Sequence, residues 1–76
     1  MQVKIIIFGQ LCEILGEILV MDKITDTESL QLAINKKFPE LKNYQYVMAV
    51  NKKQVTINTV LNEHSTIALL PPFSGG

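Results

Sequence analysis

Apolar and polar positions alternate from the first residues onward. Val3, Ile5 and Ile7 interleave with Gln2, Lys4, Ile6 and Phe8, which predicts a β-strand over 2–8 with the first set facing a core. The second set is unusual for a solvent face, because Ile6 and Phe8 are themselves large and apolar. Leu11–Leu15 fits a single helical turn stopped by Gly16, a residue type that accepts the left-handed conformation common at helix ends. Glu17–Met21 predicts a second strand and Asp22–Thr25 a turn.

The period then changes. Leu30, Ala33, Ile34 and Phe38 recur at helical spacing and predict a helix over 27–38 with one apolar stripe. Asp26 or Thr27 can cap its free N–H groups, and Glu28 suits the positive end of its dipole. Lys36 and Lys37 suit the other end, and Pro39 stops continuation. Strands are predicted at Tyr46–Val50, Val55–Ile57 and Thr66–Leu70, with turns at 51–54 and 62–65. In the last strand Ile67 and Leu69 share one face, Ala68 and Leu70 the other. A hairpin, one helix and further strands place the chain in the α+β class, a mixed sheet of about five strands with one main helix packed on one face.

Length and composition narrow the function. A chain of 76 residues holds one domain and leaves little room for an enclosed active site. All seven basic residues are lysine, balanced by seven acids, so binding to nucleic acid through a basic surface is not expected. The apolar run Ile5–Phe8 is too short to span a membrane. One cysteine, Cys12, excludes an internal disulfide, and a small domain without staples points to a reducing, cytoplasmic setting.

The last six residues are Pro71-Pro72-Phe73-Ser74-Gly75-Gly76. Two prolines cannot donate to a sheet ladder and favour an extended segment. The reading is a domain over 1–70 followed by a flexible projecting arm over 71–76. Glycines at its end leave a carboxylate without side chains, able to enter a narrow tunnel and to be approached closely by another backbone. ATP can turn such a carboxylate into an acyl-adenylate that sulfide attacks. A frayed terminus is the plain alternative.

Several segments together resemble the small subunit of molybdopterin synthase, a ubiquitin-like β-grasp sulfur carrier. These are Val3-Lys4-Ile5-Ile6-Ile7-Phe8-Gly9-Gln10, then Glu13-Ile14-Leu15-Gly16, then Ala49-Val50-Asn51 and, most specific, Leu69-Leu70-Pro71-Pro72-Phe73-Ser74-Gly75-Gly76. The resemblance implies that Gly76 is adenylated by a ubiquitin-activating-type adenylyltransferase that consumes ATP. A sulfur donor protein then supplies the sulfur, giving a thiocarboxylate. The tail next enters the large synthase subunit, in a heterotetramer, and supplies sulfur to cyclic pyranopterin monophosphate in molybdenum cofactor biosynthesis. Catalytic side chains would belong to that partner, so the chain alone is not expected to be an enzyme or to bind a cofactor or metal. Phe8, Pro71, Pro72, Phe73, Ser74 and Gly75 are the expected partner-binding residues, with Phe8 and Phe73 as anchors. Phe73-Ser74 stands where other small residues are common in that family.

Competing readings are a sulfur carrier for thiamine biosynthesis or tRNA thiolation, a ubiquitin-like modifier forming isopeptide bonds, and an interaction module with an inert end. Pro71-Pro72 favours the molybdopterin reading among the carriers. Cys12 reads as structural, without a neighbouring cysteine or histidine. His64, beside Glu63 in a polar turn, reads as a surface residue rather than a ligand. Ile6 and Phe8 mark either a partner surface or a patch covered by loops of the same chain.

Overall fold

Alternation becomes a sheet in the computed structural model, which describes residues 2–72. Val3–Ile7 forms β1, Ile18–Met21 forms β2, Val47–Val50 forms β3, Lys53–Val55 forms β4 and Ile67–Leu70 forms β5. The strand order is β2-β1-β5-β3-β4. β1 and β5 run parallel, and every other neighbouring pair is antiparallel. The sheet is therefore mixed, and β5 lies at its centre.

Two helices join the strands. Cys12–Leu15 is the short α1, entered through a 3-10 turn at Gly9–Leu11, and Thr27–Lys37 is α2. Leu30 and Ile34 on α2 have no exposed surface and share one core with Val3, Ile5, Ile7, Ile67 and Leu69. Ala33 and Phe38 pack partly buried against it. The apolar stripe thus covers one sheet face, as its spacing predicts. Asp26 caps α2, accepting the Ser29 N–H at 2.8 Å, while the Ser29 hydroxyl accepts the Asp26 N–H at 3.2 Å. A residue far along the chain completes the cap: Asn58 Oδ1 accepts the Glu28 N–H at 2.9 Å.

Several boundaries differ from the sequence expectation. The fourth strand is Lys53–Val55 rather than 55–57, because the chain reverses over two residues. Asn51 and Lys52 both take positive φ, 53° and 70°, the geometry that matches hairpin twist and ordinarily selects glycine. The Asn51 side chain helps hold the turn, accepting the Thr66 N–H at 3.0 Å. Phe38 is the cap that follows α2 rather than its last residue, and β2 starts at Ile18. Gly16 ends α1 with φ 82° and ψ 179°, which is not the left-handed helical stop expected but a region open almost only to glycine. A 3-10 turn over Pro39–Asn43 has no counterpart in the sequence reading and buries Leu41 completely.

Candidate functional site: the outer sheet face and the root of the C-terminal segment

Helix α2 covers one face of the sheet. Most of the side chains pointing the other way are apolar as well, Lys4 and Gln54 excepted. Strand register lines up Ile18, Ile6, Ala68 and Ala49 in one row across β2, β1, β5 and β3. A second row follows from the next position. Ile7 pairs with Leu69, and the Phe8 N–H donates to the Leu69 carbonyl at 3.0 Å, so Phe8 stands beside Leu70, which pairs with Val47. Ile6, Phe8, Ala49, Ala68 and Leu70 line a shallow depression of about 330 Å³, with Lys52 also at its wall. Ile6 is 39% exposed, Phe8 46% and Ile18 53%. Loops of the same chain therefore leave this face open among the described residues. Contiguous apolar patches of this kind are a common feature of partner and ligand surfaces.

The C-terminal segment starts at the end of the central strand, at one edge of that face. Leu70 is the last residue of the central strand, and Pro71 offers no N–H to continue the ladder. Pro71 is half-buried and Pro72 exposed. The structure thus brings Phe8 and Leu70 together in the depression, and Pro71 and Pro72 follow Leu70 out of the strand. Phe73, Ser74, Gly75 and Gly76, the remaining residues assigned to the site from sequence, lie outside the described residues.

Gly9, which sequence reasoning did not assign, meets the root of the C-terminal segment. It has φ 66°, and a Cβ built on it would lie 2.7 Å from Pro71 Cγ. A glycine directly after an apolar strand is a signal for close backbone approach, but the segment it meets lies at the other end of the chain and is fixed only by the fold.

Other chemistry-bearing residues stand apart. The Cys12 thiol donates to the Ile7 carbonyl at 3.1 Å and packs against the core. His64 lies 3.7 Å from Glu63, both side chains largely exposed. Among the described residues no group of three or more His, Cys, Asp or Glu side chains comes together to hold a metal, and no helix is long and apolar enough to cross a membrane. A second depression, about 570 Å³, runs between α2 and β4 past Gln31, Tyr46 and Asn58. Burial pushes the Tyr46 phenol up, opposed by hydrogen bonds with Gln31 and Asn35. The lining of this groove includes none of Phe8, Gly9, Leu70 and Pro71.

Comparison with known proteins gives one consistent answer. The profile of the ThiS family matches residues 5–76. The molybdopterin synthase sulfur carrier subunit of Caenorhabditis briggsae is 32% identical over 81 residues, spanning 97% of this chain and 96% of that one. In the solved protein-protein complex of subunits 1 and 2 of molybdopterin-converting factor from Helicobacter pylori, the matching chain is 32% identical and covered end to end, with a TM-score of 0.73. The solution structure of small archaeal modifier protein 1 from Methanosarcina acetivorans has a TM-score of 0.78 at 23% identity, covering 99% of this chain and 96% of that one. The fold is the ubiquitin-like β-grasp.

Proposed function

The chain belongs to the ThiS family, and we propose that it is a sulfur carrier whose Gly76 bears sulfur as a C-terminal thiocarboxylate and delivers it inside the large subunit of molybdopterin synthase. The observation that carries this reading is the placement of the root of the C-terminal segment. Pro71 leaves the central strand beside Phe8, at the end of an open apolar face. One partner surface can therefore grip the face and receive the segment together. Residues 71–76 span at most about 20 Å when extended, at roughly 3.3–3.6 Å per residue. That is long enough to carry Gly76 well inside a partner. The 32%-identical relatives are a sulfur carrier subunit and one member of a two-subunit complex, and the reading follows them.

The chemistry needs little from this chain. An adenylyltransferase joins the Gly76 carboxylate to the adenylyl group of ATP and releases pyrophosphate. A sulfide equivalent from a sulfur donor protein displaces AMP and leaves the thiocarboxylate. Inside the synthase the thiocarboxylate sulfur displaces an oxygen substituent from a carbon of cyclic pyranopterin monophosphate, and water then cleaves the acyl–sulfur bond, leaving the sulfur on the pterin and restoring the carboxylate. The catalytic side chains sit on the large subunit of a cytoplasmic heterotetramer, and Phe8, Pro71, Pro72, Phe73, Ser74 and Gly75 make the contact.

Carriers for thiamine or tRNA thiolation would be charged in the same way and differ only in the acceptor. The likeness to the archaeal modifier is one of fold. Intact mass spectrometry of the protein purified from its native cells tests the reading. The expected result is a fraction heavier by the exchange of one oxygen for sulfur at Gly76, discharged when the large subunit and the pterin are added. Attachment of Gly76 to lysines of other proteins, with no sulfur-bearing form, would establish the modifier reading instead.

A further inference from the structure

We propose that Gly9 is a positioning residue for sulfur delivery: its bare Cα seats the Pro71 ring and so sets the direction in which the C-terminal segment leaves the sheet. This rests on the carrier reading above. The ladder beside β5 holds the chain up to this point. Val47 pairs with Leu70 on one side, and the Phe8 N–H holds the Leu69 carbonyl at 3.0 Å on the other. Beyond Leu70 no N–H is available from Pro71, so ring packing takes over from hydrogen bonding. The ring lies on Gly9, where a Cβ would sit 2.7 Å from Cγ and 3.1 Å from Cδ.

That contact has no soft member. The ring is part of the backbone, with φ locked near about −65°. Displacing it turns the chain at its exit instead of swinging a side chain aside. The five residues beyond Pro71 reach at most about 17 Å. A tilt at the root redirects the Pro71-Pro72 stem, and delivery depends on the direction in which the segment enters its partner, because misplacing a reacting group by about 1 Å can cost on the order of a hundredfold in rate.

The test is a double-mutant cycle between Gly9→Ala and Pro71→Ala, because coupling isolates the contact from the backbone cost of a side chain at φ 66°. Each variant is loaded chemically with sulfur at Gly76, which bypasses charging. Sulfur loss is followed in single turnover with saturating large subunit and the pterin, and affinity for that subunit is measured by calorimetry. Gly9→Ala is expected to slow transfer at least tenfold while changing affinity less than threefold. In the Pro71→Ala background the same substitution is expected to slow transfer less than threefold, since the ring atoms it would meet are gone. Gly9→Asn, which tolerates positive φ and still carries a Cβ, should behave like Gly9→Ala. Equal slowing in both backgrounds, or transfer at the wild-type rate in Gly9→Ala, would overturn the proposal. So would loss of folding in both Gly9 variants, which would make Gly9 a folding residue. If wild-type protein loaded with sulfur delivers none, the carrier reading falls and this proposal with it. Wild-type delivery with unaffected Gly9 variants sinks the proposal alone.

Discussion

Replacing Phe8 by alanine separates the two halves of one side chain, and both can be weighed. Phe8 is 46% exposed. With about 200 Å² for a phenylalanine, roughly 90 Å² is left for a partner to cover. At about 25 cal/mol per Å² this is about 2 kcal/mol. Alanine keeps its Cβ, so the expected loss of binding to the large subunit is about 1.5–2 kcal/mol, or about 10–30-fold in Kd. The other half of the ring is already packed within the domain. Losing it, roughly 110 Å² at the same coefficient, should cost about 2–2.5 kcal/mol of folding stability, below a typical 5–15 kcal/mol, and lower Tm by about 8–20 °C. Isothermal calorimetry well below both melting points measures the first effect, and a thermal melt the second. Leu32→Ala is the control, because Leu32 is 66% exposed but sits on α2, away from the open sheet face. Unchanged affinity in Phe8→Ala, or an equal loss in Leu32→Ala, would refute the assignment of this face.

Leu30→Ala and Ile34→Ala remove side chains with no exposed surface and should each cost about 2–5 kcal/mol in urea unfolding; losses below about 1 kcal/mol would mean that the core closes over the gap. The pH dependence of stability should carry a contribution from Asp26, whose carboxyl is held below its ordinary 3.8 by the Ser29 N–H first, then by the Ser29 and Asn58 side chains. Because the unfolded chain binds the proton more readily, this contribution is complete above 3.8 and is lost as pH falls through the lower folded value. Melting curves of Asp26→Asn should accordingly decline less steeply below about pH 4 than those of the wild type; parallel declines would remove Asp26 from the account. Deleting Gly76, or appending one residue after it, should abolish sulfur delivery and leave Tm unchanged, whereas an extended chain that still delivers without being trimmed back would show that the terminus is not the sulfur-bearing group.

Local patterning made much of this protein legible. β1 and β5 declare their buried sides through strict alternation, and α2 declares its stripe, its cap and its stop within a dozen residues. These signals depend only on near neighbours, which is why a sequence carries them. The Pro-Pro-x-x-Gly-Gly ending likewise needs no fold to be noticed, and the apolar outward positions Ile6 and Phe8 already stand out as misplaced for a solvent face.

What required the tertiary structure is everything that pairs distant segments. Ile24, Leu41 and Leu61 are buried outside the strands and α-helices, where no periodicity announces them. Asn58 caps a helix that begins thirty-one residues before it, and nothing in its neighbours says so. The β3–β4 turn falls on Asn51 and Lys52 at positive φ, although lysine there breaks the local rule, since strand register outweighs the backbone cost. Most consequential is the parallel pairing of the first strand with the last. Sequence alone determines that Phe8 is apolar, that Gly9 lacks a side chain and that Pro71 ends a strand. Only the long-range hydrogen bonds of the central ladder bring Phe8 beside Leu70 and Gly9 against Pro71, and so decide where the C-terminal segment leaves the sheet.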